Sequence, residues 1–307
     1  MIPFLAGRLA RVMVLAVVVV SLIFILFRLV PGDPALLYAG LNTTPEALAQ
    51  IRHNLGLDLP LWLQYLRYWA DLLHGNPGLS TAFNENALVV VARHIPYTLE
   101  LIAAGMAIAV TVGVATGTAA ARLPGTSLDL ALSAATVALL SIPNFWLGLM
   151  LVLFFAVQLH VLPALGASGP TSLILPAVVL AARIAAVIAR ITRAAVLEVL
   201  SADFVRTSQS KGLPARTIFW RHVFTNAMQT VLTVTSMEAG YLLGGSIVVE
   251  ILFAWPGLGY ILINSINMRD YALVQTLTVF YVLAFLVLNL LTDLLYGVVD
   301  PRIRVAG

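Results

Sequence analysis

Apolar residues run along this chain in long blocks, not in the short alternation of a half-buried strand or the stripe of a water-facing helix. Six blocks approach the roughly 20 residues that a helix needs to cross a bilayer. They are Leu9–Leu29, Thr98–Ala121, Leu128–Leu149 continuing toward Leu159, Leu173–Val199, Met228–Phe253 and Leu273–Val298. The pattern predicts an all-α integral membrane protein with six transmembrane helices in a single domain over 1–307.

Between the first two blocks, over 31–96, the pattern turns amphipathic. Thr44 is placed to cap a helix that has Pro45 at its first position. Leu48, Ile51 and Leu55 then share a face, and Gly56 ends the helix. Pro60 starts a second helix carrying Trp62, Tyr65, Tyr68 and Trp69, aromatics that suit a membrane–water interface. The segment reads as a small helical cap on the spans, compatible with a docking surface for a soluble partner.

Composition agrees with a membrane protein. Charged residues are 10% of the chain and hydrophobic ones 61%, where soluble domains carry about a quarter charged. Mean hydropathy is +0.98. A water-soluble chain of 307 residues has no core large enough for that apolar surface. No cysteine is present, which excludes disulfides and thiolate chemistry. The histidines at 53, 74, 94, 160 and 222 form no His-Glu-x-x-His pattern. The lone lysine, Lys211, lies between Ser210 and Gly212, so the chain carries no Gly-Lys-Ser/Thr phosphate loop. Any ATP chemistry belongs to another polypeptide.

The net charge of +3 does not point to nucleic acid, because the basic residues flank apolar blocks and so act as topology signals. Six spans put both termini on one side. That side holds Arg8, Arg11, Arg122, Arg206, Lys211, Arg216, Arg221, Arg302 and Arg304, with Arg190 and Arg193 near it. The loop 159–172 has no Lys or Arg, and 254–272 has only Arg269. The positive-inside rule then makes both termini cytoplasmic and 31–96 extracytoplasmic, in a multi-pass membrane protein. The first block is too long for a cleaved leader and reads as an uncleaved signal anchor.

Within the spans, Gly105, Ala109, Gly113, Gly117 and Ala121 recur every four residues, a stripe that lets helix backbones approach. Ser236, Gly240 and Gly244 repeat the device. Pro143, beside Asn144, is expected to kink the third span. Arg183 and Glu238 are the deepest ionisable residues, with Asp293 nearer an end. Such groups face a translocation pathway or pair between spans. Asn144, Arg183 and Glu238 are the pathway candidates.

The stretch 201–226 reads helix, break, helix. Ser201 is the expected N-cap of a helix over Ala202–Lys211, Gly212 the break, and Pro214 the start of a second helix with Ile218, Phe219, Trp220, His222 and Phe224. Arg206, Lys211, Arg216 and Arg221 surround these aromatics, a mixture suited to a protein-docking surface. A helix resting on lipid headgroups is the competing reading.

At this loop, DFVRTSQSKGL (Asp203–Leu213) resembles the cytoplasmic coupling motif of ABC-importer permeases of the dipeptide, oligopeptide, glutathione and nickel class. Further stretches are similar to the same class: RLVPGDP at Arg28–Pro34, LGLDLPLWLQYL at Leu55–Leu66 and SIPNFWLGL at Ser141–Leu149. So are LPALG at Leu162–Gly166, GGSIVVEILFAWPGLG at Gly244–Gly259, RDYALVQ at Arg269–Gln275 and NLLTDLLYGVVDPRIR at Asn289–Arg304. Their order and spacing carry the resemblance. Arg206, Thr207 and Ser208 stand where the general motif has Glu-Ala-Ala, Ser208 and Ser210 where this class often has Ala, and Thr230 where it often has Pro.

The resemblance implies a type I-like importer permease that forms half of a translocation pathway for peptides or a related small solute. It implies a second homologous permease, two ATPase subunits and an extracytoplasmic solute-binding protein as partners. ATP and Mg would sit on the ATPases, and this non-catalytic chain would bind no cofactor. Asp203, Arg206, Thr207, Lys211, Gly212, Leu213 and Arg216 become the ATPase-coupling residues. The alternatives are a stand-alone secondary transporter, for which no inverted repeat is evident, and an intramembrane enzyme. For the latter the nearest pattern, Gly166-x-Ser168, has Pro170 where Gly-x-Ser-x-Gly needs glycine.

Overall fold

The structure, a computed structural model, describes residues 2–29, 35, 44–54 and 56–299. Leu55, residues 31–34 of the first motif and Arg302 and Arg304 lie outside the described residues, as does the side chain of Asp293. The helices are α1 (Ile2–Leu29), α2 (Pro45–Asn54), α3 (Leu61–Leu73), α4 (Ala87–Arg122), α5 (Ser127–Ser141) and α6 (Asn144–Gln158). They continue with α7 (Ile174–Leu200), α8 (Asp203–Ser210), α9 (Ala215–Leu252), α10 (Leu258–Asn267) and α11 (Tyr271–Val299). Five helices are long and apolar enough to cross a membrane, and six if the α5–α6 pair is one span.

Several boundaries differ from the sequence reading. Helix α4 starts at Ala87, not near Thr98, and runs through Pro96, so the segment between the first two spans is shorter than 31–96. Asn86 sets this start, because its Oδ1 accepts the Leu88 N–H at 2.8 Å and satisfies an orphan helix donor. At Pro143 the third span breaks instead of kinking: α5 and α6 meet at 104°. Proline cannot donate the helical hydrogen bond and forces its predecessor to extended backbone, as Ile142 shows with ψ 123°. Ser201 is not an N-cap. It ends α7, its hydroxyl donating to the Glu198 carbonyl at 2.7 Å. Ala202 occupies the N-cap of α8. The second short helix expected after Gly212 is the first part of α9, whose turns widen over Ile218–Phe224. The loop 254–272 hides a further helix, α10.

In the segment after α1, the Thr44 hydroxyl accepts the Ala47 N–H at 3.3 Å, and Gly56 ends the following turns at φ +65°. The His53 ring, 2.8 Å from Asp58, holds that carboxyl below the usual carboxylate range.

Contacts divide the chain into two compact units. The first joins residues up to Thr98 with Pro256–Leu290. Its core sets Ala87, Val90 and Val91 of α4 against Leu258 and Ile261 of α10 and Leu273 and Leu277 of α11. The Leu258 N–H at the start of α10 donates to the Thr98 hydroxyl at 2.8 Å. Asp270 is fully buried at the head of α11. It accepts from the Ser80 hydroxyl, from the Ala82 N–H at 3.0 Å and from the Leu273 N–H at 3.1 Å.

The second unit is built over Leu99–Trp255. Its centre is α7, whose span is 67% buried where the other spans are 17–33% buried. Alanines dominate its buried positions, so neighbouring helices come close. The glycine stripe of α4 faces it. A Cβ on Gly105 would lie 3.1 Å from Leu180, one on Gly113 2.8 Å from the Ala185 carbonyl, and one on Gly117 would run into the Ala189 carbonyl. Gly148 of α6 lies equally close to Leu252 of α9. Gly240 is buried, but Gly244 is exposed with nothing within 4 Å of an added Cβ, so it is not a close-packing residue in this chain.

Candidate functional site

The 201–226 loop is built as an outward-facing bracket on a buried anchor. In α8 only Val205 is buried. It joins Ala195 and Val196 of α7, Ala121 of α4, and Ile218, Val223 and Ala227 of α9 in one apolar cluster. Burying a valine this fully contributes about 1.5–3 kcal/mol. The cluster therefore ties the short helix to three long ones. The polar side of α8 points away, with Asp203, Arg206 and Thr207 exposed, as are Lys211, Gly212 and Leu213 of the following turn and Arg216 of α9.

Local bonds hold the bracket in shape. The Thr207, Ser208 and Ser210 hydroxyls each donate to the carbonyl four residues back, at 2.8–3.1 Å. Those donors replace what alanine would leave apolar at Ser208 and Ser210, without leaving the helix. Asp203 and Arg206 approach to 3.9 Å on the exposed face. Gly212 takes φ +73°, a left-handed conformation that ends α8 as glycine does most easily. Pro214 then caps α9.

Arg122, at the end of α4, lies with its guanidinium 5.2 Å from the centre of the Phe219 ring. Phe219 meets Trp220 edge-on at 5.2 Å, and Trp220 meets Phe224 at 5.1 Å. Arg122, Val205, Gln209, Leu213, Arg216 and Trp220 are among the residues lining a cavity of about 730 Å³ between α8 and the start of α9. A rigid bracket with a basic, aromatic cavity can grip a protein partner and pass its displacement to α7 and α9.

The pathway candidates sit elsewhere. Arg183 of α7 donates to the Glu238 carboxylate of α9 at 3.3 Å. The Glu238 side chain is 11% exposed and that of Arg183 49%. The pair thus joins two spans while leaving about half of the Arg183 side chain exposed. Asn144, half-buried, is the first residue of α6 after the Pro143 break and is not joined to this pair by any hydrogen bond among the described residues.

Sequence reasoning missed a stronger ion pair. Arg193 of α7 grips Asp129 of α5 with Nε–Oδ1 at 2.6 Å and Nη2–Oδ2 at 2.8 Å. Asp129 also accepts the Gly125 N–H at 2.9 Å. Arg193 had been counted only as a topology signal. The available clue was an acid in the first turn of a helix capped by Thr126.

Comparison with known proteins accounts for this architecture. A family model described as "Binding-protein-dependent transport system inner membrane component" matches residues 109–305, and its N-terminal counterpart matches residues 1–102. The chain is 38% identical over 304 residues to the glutathione transport system permease protein GsiC of Salmonella paratyphi A and to that of Escherichia coli strain K12, covering 99% of each chain in both cases. Among solved structures, it is similar to the inward-facing MetNI methionine ABC transporter, with TM-score 0.58 and 19% identity over 69% of this chain and 97% of that one. An amino acid ABC transporter with histidines matches with TM-score 0.53 and 17% identity, over 67% and 92%. Those two likenesses concern the fold. The family match over both parts of the sequence shows that the chain belongs to the binding-protein-dependent transport system inner membrane components, the permease subunits of ATP-driven importers, and is not a stand-alone secondary transporter.

Proposed function

We propose that the chain imports a small peptide-like solute, with the 201–226 bracket seated on a separate ATPase subunit and both termini cytoplasmic. The observation that carries this reading is the division of α8 into one buried residue, Val205, and an exposed polar face that leads into the exposed basic residues Lys211 and Arg216. A partner that moves α8 must move α7 and α9 with it, because their side chains share one cluster. Such a shift of short helices, transmitted to packed spans, exchanges outward- and inward-open states. Arg122 shares the cavity of the bracket, so the end of α4 lies on the same side of the membrane as this basic loop.

ATP and Mg then belong to the partner ATPases, and the chain itself binds no cofactor. A second permease completes the pathway, and a solute-binding protein delivers from outside. The named relatives transport glutathione, so glutathione and short peptides are the first solutes to test. Such solutes carry both amine and carboxylate groups. Arg183, half open beside Glu238, offers one charge of each sign to them.

The test is ATPase stimulation by solute and binding protein in the reconstituted complex. Gly212→Pro, or Arg206→Glu with Lys211→Glu, is expected to abolish stimulation while expression persists. Proline cannot adopt the positive φ of residue 212, and the paired charge reversals invert the docking face. Undiminished coupling in both variants would overturn the reading.

A further inference from the structure

Helix α3 follows the first span and packs back along that span's last turns. Its Tyr65 hydroxyl is 2.7 Å from the Ser21 hydroxyl of α1, and its Tyr65 and Tyr68 rings lie 5.4 and 5.5 Å from the Phe24 ring. Tyr68, Trp69 and Leu72 pack on a cluster of Val20 and Ile23 of α1 and Val279 of α11. Helix α1 ends at Leu29 and α11 begins at Tyr271. At 1.5 Å per residue, Val20 lies about 13 Å below the end of α1 and Val279 about 12 Å below the start of α11. Phe27 and Arg28 of α1 and Tyr271 and Gln275 of α11 share a cavity with Arg67, Tyr68 and Asp71, so α3 covers the range from the ends of these two spans to about 13 Å below them. With 7–29 and 271–292 as the membrane-crossing stretches, the inner part of that range falls inside a hydrocarbon layer roughly 30 Å thick.

The faces of α3 match this position. Gln64, Arg67 and Asp71 share one side and line a polar cavity of about 320 Å³. The opposite side carries Trp62, Leu66 and Leu73, exposed by 65%, 55% and 78%. On the neighbouring α1, Leu22, Ile25 and Leu26 are likewise exposed over the same depth, so the apolar surface of the span continues onto α3.

We propose that α3 is an interfacial helix sunk into one leaflet, with its Trp62–Leu66–Leu73 side against lipid acyl chains and its Arg67–Asp71 side toward water. A helix lying in the membrane plane has this division of faces. Its amphipathic residues also suit the headgroup boundary. In the orientation proposed above the leaflet is the outer one; the depth rests on packing with α1 and α11 alone. The helix that the sequence presents as part of a small cap on the spans, with interfacial aromatics, is at α3 a lipid-facing part of the permease.

The chain has no cysteine, so single nitroxide labels can be placed directly. Leu66→Cys, Leu73→Cys and Asp71→Cys, with Val14→Cys of α1 as the mid-span reference, are labelled in the permease complex in phosphatidylcholine nanodiscs. Collisions with oxygen, which concentrates among acyl chains, are compared with those of a water-soluble nickel chelate. Oxygen is expected to dominate several-fold at 66 and 73, as at 14, and the chelate at 71. Dominance of the chelate at both 66 and 73 means water and overturns the proposal. Exclusion of both reagents there means a protein cover and also overturns it. Should Leu66→Cys fail to assemble, Leu73→Cys carries the same test on the next turns. Impermeant maleimide on intact cells, applied to Asp71→Cys, reads the side of the membrane separately. A cytoplasmic result there sinks the proposed orientation and leaves the depth standing.

Discussion

The Arg193 guanidinium closes a two-pronged ion pair on Asp129, at 2.6 and 2.8 Å, with only 4% of the Asp129 side chain exposed. The same carboxylate accepts the Gly125 N–H and sits one turn inside the Thr126 cap. One acid thus fixes the α4–α5 turn, the start of α5 and the C-terminal third of α7. Asp129→Asn is expected to lower the melting temperature of the chain, because it removes the charge from a two-pronged hydrogen-bonded pair that joins α5 to α7. Arg193→Lys should recover little of the loss that Arg193→Ala causes, since lysine cannot supply the planar fork. Thermal unfolding in detergent, followed by size-exclusion fluorescence, checks both. Wild-type melting of Asp129→Asn would contradict this account.

The two glycines of the apparent repeats should respond in opposite directions to alanine. Gly117→Ala drives a methyl group into the Ala189 carbonyl and within 2.7 Å of Thr192. Overpacking of that kind costs about 1–3 kcal/mol. Gly244→Ala meets open space in mid-helix and should gain roughly 0.5–1 kcal/mol from helix propensity. The comparison is a pair of melting curves, and equal shifts would show that the stripe is not in contact.

Glu238 and Arg183 serve transport more than assembly if the half-exposed Arg183 side chain faces the solute. Arg183→Gln and Glu238→Gln should each slow solute uptake by about an order of magnitude, roughly 1.4 kcal/mol in barrier height. Co-purification with the partner permease should be unchanged. Uptake into proteoliposomes is the measurement, and normal rates in both variants would leave the pair a structural tie.

Asp270 is a clamp on the 79–86 turn. Asp270→Ala removes the acceptor of the Ser80 hydroxyl, the Ala82 N–H and the Leu273 N–H together. Loss of a helix cap costs about 1 kcal/mol, and each buried donor left without a partner about 1–3 kcal/mol. Limited proteolysis should then cut within residues 79–86, where the wild-type chain resists. Ser80→Ala should show a smaller increase in the same cleavage.

How far the sequence could be read depended on the range of the interactions involved. The coupling bracket was legible, because Gly212, Pro214 and the alternation of Arg with Trp and Phe are local signals. The helix caps at Thr44 and the end at Gly56 were legible for the same reason. Ser201 misled, since a serine that can cap the next helix can also close the previous one, and packing of Val205 chose between them. The start of α4 at Ala87, ahead of the apolar block from Thr98, is not legible locally, because the Ala87–Val91 face finds its partners on α10 and α11. Helix α10 was taken as loop, being too short for a span.

Length, apolarity and the positions of arginine determine from the sequence alone that this chain threads a bilayer as an all-α membrane protein and where its basic elbow lies. Those properties depend on each segment's exchange between water and lipid, which needs no knowledge of its neighbours. Only the tertiary structure decided that Arg193 belongs to Asp129, that Gly117 is crowded while Gly244 is open, and that α3 sits beside the last turns of α1. Each of those is a matter of which surfaces meet, and residues far apart in the chain acquire a common environment only when the helices between them have packed.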